Sequence, residues 1–296
     1  MLARLSAPVP QARAAVLLAS LLWGTTGTVA SFSQALSPLA IGAFAMGVGG
    51  LLQTLLAWRH IHRALAALQA HWPLVLTGAL AIAVYPLAFY SAMRLAGVAI
   101  GTVISIGTAP FFTLLLECLI GQGGAVSRRW WLSFALGVIG LALLSLPGAA
   151  PASAPAPVIG TLLGLLAGFT YALYSWVAKR LIAGGIRSQA AMGSLFGLGA
   201  LLLLPSLLLT GSHLTAPVGN LLVVGYMALV PMFLGYLAFG FALRHVAASQ
   251  ATLLTLFEPV VAALLAVTVV GEPIPALGWL GMGLILGCLL LQARGE

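Results

Sequence analysis

Aspartate is absent from this chain of 296 residues, and only four glutamates are present: Glu117, Glu258, Glu272 and Glu296. Catalysis by paired carboxylates, and metal clusters built on acidic ligands, therefore have almost nothing to work with. The two cysteines, Cys118 and Cys288, sit in apolar runs without metal-ligand spacing or companion histidines, which leaves them as small packing residues. Lysine occurs once, at Lys179. Charge of any kind is scarce: 5% of residues are charged and 62% are hydrophobic, where a soluble domain carries about 25% charged residues. No HExxH, GxSxG or aspartate pair occurs, and every histidine falls at a loop or span end. The chain is expected not to be an enzyme and to need no cofactor and no metal.

What is present is apolar length. The mean hydropathy is +1.15, and runs of about 20 apolar residues mark membrane spans. Ten can be placed, with cores near 14–33, 38–58, 73–93, 97–120, 130–147, 158–178, 189–210, 220–243, 247–270 and 275–292. In lipid every backbone polar group must be satisfied within the segment, so these spans are read as helices of an all-α polytopic membrane protein. The net charge of +8 is then a topology signal and gives no reason to expect nucleic acid. With both termini in the cytoplasm, the cytoplasmic side collects eleven of the twelve basic residues and only Arg94 faces out.

The chain also repeats itself. LAFYSAMR at 87–94 returns as LAFGFALR at 237–244, with five of eight positions identical. At the same spacing Thr102 is echoed by Thr252, and Ala109-Pro110 by Glu258-Pro259 one residue out of register. Trp23-Gly24 precedes Ala167-Gly168 by 144 residues. Five spans per copy is an odd number, so the second copy must enter the membrane inverted. The expected organisation is a first repeat over 1–147, a proline-rich external linker over 148–157 and an inverted repeat over 158–296. The basic segment 58–72 is expected to be a cytoplasmic interfacial helix carrying His60, His62 and His71.

Inverted-repeat transporters bind near the midplane, where helices are broken or polar. Span 4 carries Gly101, Ser105 and Thr108 on one face, with Pro110 interrupting it; span 9 carries Thr252, Thr255 and Glu258, with Pro259 next. As repeat partners, these polar stripes are expected to face each other. Their hydroxyls also have a packing use, by bonding back to their own helices. Glu258 is the acidic group near a midplane, where a charge is costly and points to function or to a protonated structural role. Glu117, near the inner end of span 4, is expected to pair with Arg128 and Arg129. Trp23, Tyr85, Tyr90 and Tyr171 lie deep in their spans, away from the interfacial belts where Trp and Tyr usually sit, and would suit a pocket for amphipathic organic solutes. Gly24 adjoins Trp23. Pro86, Pro110, Pro231 and Pro259 are the candidate hinges. Gly137, Gly140, Gly283 and Gly287 mark spans 5 and 10 as packing or dimer surfaces.

Three features together resemble the drug/metabolite transporter superfamily, in particular its EamA-type ten-span members. They are the five-plus-five inverted repeat, LLWGTTG at 21–27, and FEPVVAALLAVTVVGEPIPALGWLGMGLILGCLL at 257–290 with its Glu258-Pro259 and Gly271-Glu272 pairs. The first half departs from the pattern, with Gly121-Gln122 where Gly-Glu is expected. The resemblance implies a bacterial inner-membrane permease that exports small molecules by alternating access. It also implies a central cavity formed by spans 1, 3, 4, 6, 8 and 9, with 5 and 10 outside. The chain looks most similar to exporters of aromatic and other neutral amino acids. Export of drug-like or cationic metabolites, or flipping of a lipid-linked metabolite, are the alternatives. The expected partners are an amino-acid-like substrate and membrane lipids, with a homodimer as an open assembly. No basic residue falls at mid-depth, which disfavours anionic substrates.

Overall fold

A segment that cannot bond its backbone to water becomes a helix, and the computed structural model consists of such helices. It describes residues 9–33, 36–120, 126–145, 155–212, 214, 218–271 and 274–293. Nine described helices are long and apolar enough to cross a membrane. We label them α1 (Val9–Ser31), α2 (Pro38–Arg63), α3 (Trp72–Ala96), α4 (Ile100–Leu119), α6 (Pro157–Ala183), α7 (Ser188–Thr210), α8 (Val218–Ala242), α9 (Ala248–Val270) and α10 (Ala276–Ala293). The tenth, α5 (Arg128–Ser145), opens on Arg-Arg-Trp-Trp, which dilutes its hydropathy, and continues as an unbroken apolar helix. The proline-rich linker and the Gly121-Gln122 and Glu272 positions fall wholly or largely outside the described residues.

The main helix pairs each join one half of the chain to the other: α3 with α6, α2 with α7, α5 with α10, and α4 with α6. Inversion of α3–α6 gives α8–α1, and that pair is packed as well. Four of these interfaces are backbone-close at glycines. A Cβ on Gly50 would lie 2.5 Å from the Phe196 carbonyl oxygen, which brings α2 against α7. Thr54 of α2 donates its hydroxyl to the Gly193 carbonyl of α7 at 2.8 Å. In the α5–α10 pair, Gly140 and Gly281 meet backbone to backbone. Gly137 packs on Leu256 and Cys288, whereas Gly283 and Gly287 face open space.

The ends of the bundle are defined by its termini. Arg13, in the first turns of α1, donates to the Ala293 carbonyl at the end of α10 at 3.2 Å. We call this side the terminal face and the opposite one the distal face. Segment 58–72 differs from the expected single interfacial helix. Helix α2 runs on to Arg63, breaks at Ala64, and only Leu65–Ala70 forms a separate short helix. A continuous span costs less backbone bonding than a bend at Trp58 would.

Helix α1 breaks at Thr25 and α7 tightens over Leu204–Ser206, and two helices of the second half, α8 and α9, are irregular beside the site. In α8 the turns widen into a π-helix over Ala228–Gly235 around Pro231. A proline has no N–H to give, and π turns leave carbonyls to be satisfied from outside. Trp23 Nε1 donates to the Pro231 carbonyl at 2.9 Å, and Gln53 Nε2 to that of Met232 at 3.2 Å. Helix α9 is interrupted between Ala248–Leu254 and Phe257–Leu265, where Glu258 N bonds the Thr255 carbonyl in a tighter turn. Pro259 falls in the first turn of the restarted piece, where its missing N–H costs nothing. Pro86 and Pro110, by contrast, lie inside unbroken helices.

Candidate functional site

The irregular stretches of α8 and α9 face a cavity of about 50 Å³, which is room for a few water molecules. Glu258 comes from the restarted turn of α9, where its carboxylate also benefits from the positive end of the half-helix dipole. Trp23 and Thr26 of α1, Tyr171 of α6, and Met232 and Tyr236 of α8 form further walls. Helix α3 contributes Tyr85, Pro86, Phe89 and Tyr90, and α2 contributes Gly42, Ala45 and Met46. Among the described residues, the Glu258 carboxylate takes no hydrogen bond or ion pair, and no Lys, Arg or His lines the cavity.

The aromatic walls are held in register by contacts with one another. Trp23 packs on Tyr236 with ring centroids 4.8 Å apart, and Tyr85 on Tyr171 at 5.5 Å. Tyr171 donates its hydroxyl to Thr255 Oγ1 at 2.9 Å, and Thr255 in turn donates to the Thr252 carbonyl at 2.7 Å. These bonds fix the α9 break relative to α6. Trp23 is the matching tie on the other side, through its bond to Pro231. Trp23→Phe keeps the ring but leaves that buried carbonyl without a donor, at a cost of about 1–3 kcal/mol. The expected result is a lowered thermal midpoint for the purified protein, measured by size-exclusion chromatography after heating.

Thus five of the residues singled out for substrate binding, Trp23, Tyr85, Tyr90, Tyr171 and Glu258, meet in one place. The other six, Gly24, Gly101, Ser105, Thr108, Thr252 and Thr255, do not line it. Gly101, Ser105 and Thr108 do not face α9. Gly101 packs on the α3 backbone at Met93, while Ser105 and Thr108 pack on Gly164 and Gly168 of α6. Thr108 donates back to Ile104 at 2.6 Å. The side chains that do reach α9 from α4 are Thr113, 3.3 Å from Thr252 Oγ1, and Glu117, which bonds Ser249 N. Thr252 and Thr255 are fully buried behind the cavity wall. Gly24 lets α1 approach the backbone of α9: a Cβ there would lie 2.9 Å from the Glu258 carbonyl oxygen and 2.6 Å from Val261. Bulk at Gly24 or Gly101 would therefore separate helices rather than fill a binding site.

The cavity is built by spans 1, 2, 3, 6, 8 and 9, so α2 takes the place expected for α4. The sequence reading missed Gly42, Met46, Phe89, Met232 and Tyr236 as lining residues. Tyr236 carried a usable signal, being another tyrosine deep in a span; the rest are ordinary apolar residues whose orientation only packing sets. Glu117 also departs from expectation. It is 8% exposed, and its Oε1 accepts the Ser249 N–H at the start of α9 at 3.1 Å instead of pairing with Arg128 and Arg129.

The model of the EamA-like transporter family matches this chain twice, over residues 12–146 and 158–293, and each match takes in five helices. The chain belongs to that family. It is a multi-pass membrane transporter with an internal duplication. The uncharacterized transporter YwfM of Bacillus subtilis is 35% identical over 94% of this chain and 92% of its own length. The uncharacterized inner membrane transporter YedA of Escherichia coli is 28% identical over 64% of this chain and 60% of its own. A probable terminal-alkyne amino-acid exporter of Streptantibioticus cattleyicolor is 25% identical over 94% and 95%. A solved crystal structure superposes with a TM-score of 0.77 at 20% identity, covering 95% of this chain and 96% of that one, which speaks for the fold. In this EamA-family chain the two halves are not chemically equivalent. The Glu258-Pro259 site has Ala109-Pro110 as its counterpart, so the carboxylate belongs to one half only.

Proposed function

We propose that this transporter exports small organic solutes that carry an amine on an apolar or aromatic body, foremost aromatic and other neutral amphipathic amino acids. The observation that carries this reading is the Glu258 carboxylate, without a partner among the described residues, in a cavity walled by Trp23, Tyr85, Tyr90, Tyr171 and Tyr236. A carboxylate pairs with an ammonium group, and aromatic faces attract cations as well as apolar bodies. The probable amino-acid exporter among the relatives supports the amino-acid class. Transport proceeds by alternating access. The inner membrane transporter among the relatives supports a bacterial inner-membrane location, and the distribution of arginines supports a cytoplasmic terminal face.

The absence of any cation among the described lining residues favours a second reading, in which the substrates are amines without a carboxylate. A lipid-linked substrate is less well supported. A wider apolar groove of about 550 Å³ lies between α2, α3 and α7, but it shares no lining residue with the Glu258 cavity. The test is flux in proteoliposomes of the purified protein, with labelled phenylalanine, methionine and threonine set against phenethylamine, with and without an imposed pH gradient. Saturable amino-acid flux is the expected result. Flux of phenethylamine alone would move the substrate class to amines, and no flux of either would overturn the reading.

A further inference from the structure

The cavity and the terminal face are separated by a seal whose charged parts lie outside the cavity. Helix α8 ends at Ala242 and α9 begins at Ala248. The turn between them is gripped from two sides. Lys179, from the terminal end of α6, donates Nζ to the Leu243 carbonyl at 2.9 Å. Glu117, from the terminal end of α4, accepts the Ser249 N–H at 3.1 Å and so caps the first turn of α9. Helix N-termini leave N–H groups without partners and carry partial positive charge, so a carboxylate fits there. The Glu117 and Lys179 charges also attract each other across the turn. Between this grip and the cavity along α8 and α9, Phe239, Leu253 and Leu256 are fully buried.

On the distal side the corresponding tie among the described residues is a backbone one without charge: the Ala156 N–H, at the start of α6, donates to the Leu95 carbonyl at the α3–α4 connection at 3.2 Å. The repeat counterpart of the 243–247 turn is the short α3–α4 connection, and the residue 150 positions after Glu117 is Val267, which has no charge. The cavity residues Thr26, Gly42 and Tyr90 lie toward the distal ends of their helices. The gripped segment is also coupled to the site. The first piece of α9, Ala248–Leu254, starts at the Glu117 cap and ends at the break beside Glu258.

We propose that Glu117 and Lys179 are gating residues. They hold the 243–249 segment across the terminal end of the pathway while the cavity faces the distal side, and the step that opens the cavity toward the terminal face releases them. They act through α9 and touch no substrate, so they are positioning residues. Their removal shifts the population toward the terminal-open state, and because the two states exchange, accessibility gained on one face is lost on the other.

The experiment measures both faces and requires no knowledge of the substrate, so its outcome is separate from that of the flux test. In a Cys118→Ser, Cys288→Ala background, single cysteines are placed at Leu253, behind the seal, and at Thr26, in the cavity. Each is labelled with a membrane-impermeant maleimide applied to one face of sealed vesicles. Glu117→Ala and Lys179→Met are each expected to raise terminal-face labelling of Leu253→Cys about tenfold and to lower distal-face labelling of Thr26→Cys severalfold. Glu117→Gln, which keeps an acceptor for Ser249, is expected to give a smaller shift in the same directions and serves if the alanine variant does not fold. Raised labelling at Leu253→Cys with unchanged labelling at Thr26→Cys would mean local fraying and would overturn the gate. Unchanged labelling at both positions would overturn it too.

Discussion

Glu258→Gln is expected to abolish recognition of the substrate amine while leaving the fold intact. The substitution is nearly isosteric, and Glu258 forms no hydrogen bond or ion pair with the described residues that the change could break. What it removes is the one acidic group among the described residues that line the cavity. Loss of one partner of a desolvated charge pair costs about 2–5 kcal/mol, and roughly 3 kcal/mol corresponds to a hundredfold in affinity. A hundredfold weaker half-saturation for amino-acid flux, with an unchanged elution profile and thermal midpoint, is the expected outcome. The same variant separates two roles of the carboxylate. If Glu258 also carries the coupling proton, flux driven by a pH gradient disappears and downhill flux at saturating substrate persists. Unchanged affinity together with unchanged pH-driven flux would remove Glu258 from the mechanism.

The largest effect on stability is expected at Gly140, far from the cavity. A Cβ there would lie 2.6 Å from the Gly281 carbonyl oxygen and 3.0 Å from the Ile285 amide nitrogen. These are backbone atoms and cannot swing aside, so α5 and α10 must move apart. Gly140→Ala is expected to cost about 1–3 kcal/mol through overpacking, and Gly140→Leu considerably more, with loss of folded protein in the membrane. The control is Gly283→Ala. Gly283 meets nothing within 4 Å, and alanine is the better helix former by roughly 0.5–1 kcal/mol. Its thermal midpoint is expected to stay level or rise, where that of Gly140→Ala falls by roughly 2–10 °C. Equal midpoints for the two variants would contradict the α5–α10 packing.

These two positions show where the sequence was and was not sufficient. Glycine pairs three or four residues apart drew attention to Gly137, Gly140, Gly283 and Gly287 alike. Spacing identifies faces of a helix, but which face meets a neighbour depends on how each helix is rotated in the bundle. The structure turns Gly140 and Gly281 inward and Gly283 and Gly287 outward. The same limit applied to the site. Trp23, Tyr85, Tyr90, Tyr171 and Glu258 could be picked out because polar and amphipathic groups deep in an apolar span are costly and so conspicuous. Ser105, Thr108 and Thr252 were equally conspicuous by that rule. Yet small hydroxyl residues satisfy themselves on their own helices, and here they serve close packing and bonding between helices.

The apolar runs and their number determined an all-helical membrane protein, because a backbone in lipid has no other partner for its polar groups. The 150-residue echo and the odd number of spans per copy determined the inverted duplication, whereas of the four candidate hinge prolines Pro231 and Pro259 fall at irregular turns and Pro86 and Pro110 inside unbroken helices. Tertiary structure decided what no pattern along the chain encodes: that α2 and not α4 walls the cavity, that Glu117 caps α9 instead of meeting Arg128 and Arg129, and that Phe89, Met46 and Met232 face the site. The reason is physical. Hydropathy and spacing report the environment each residue needs, lipid, protein or water, whereas the choice among protein neighbours is made by helix rotation and the fit of side chains.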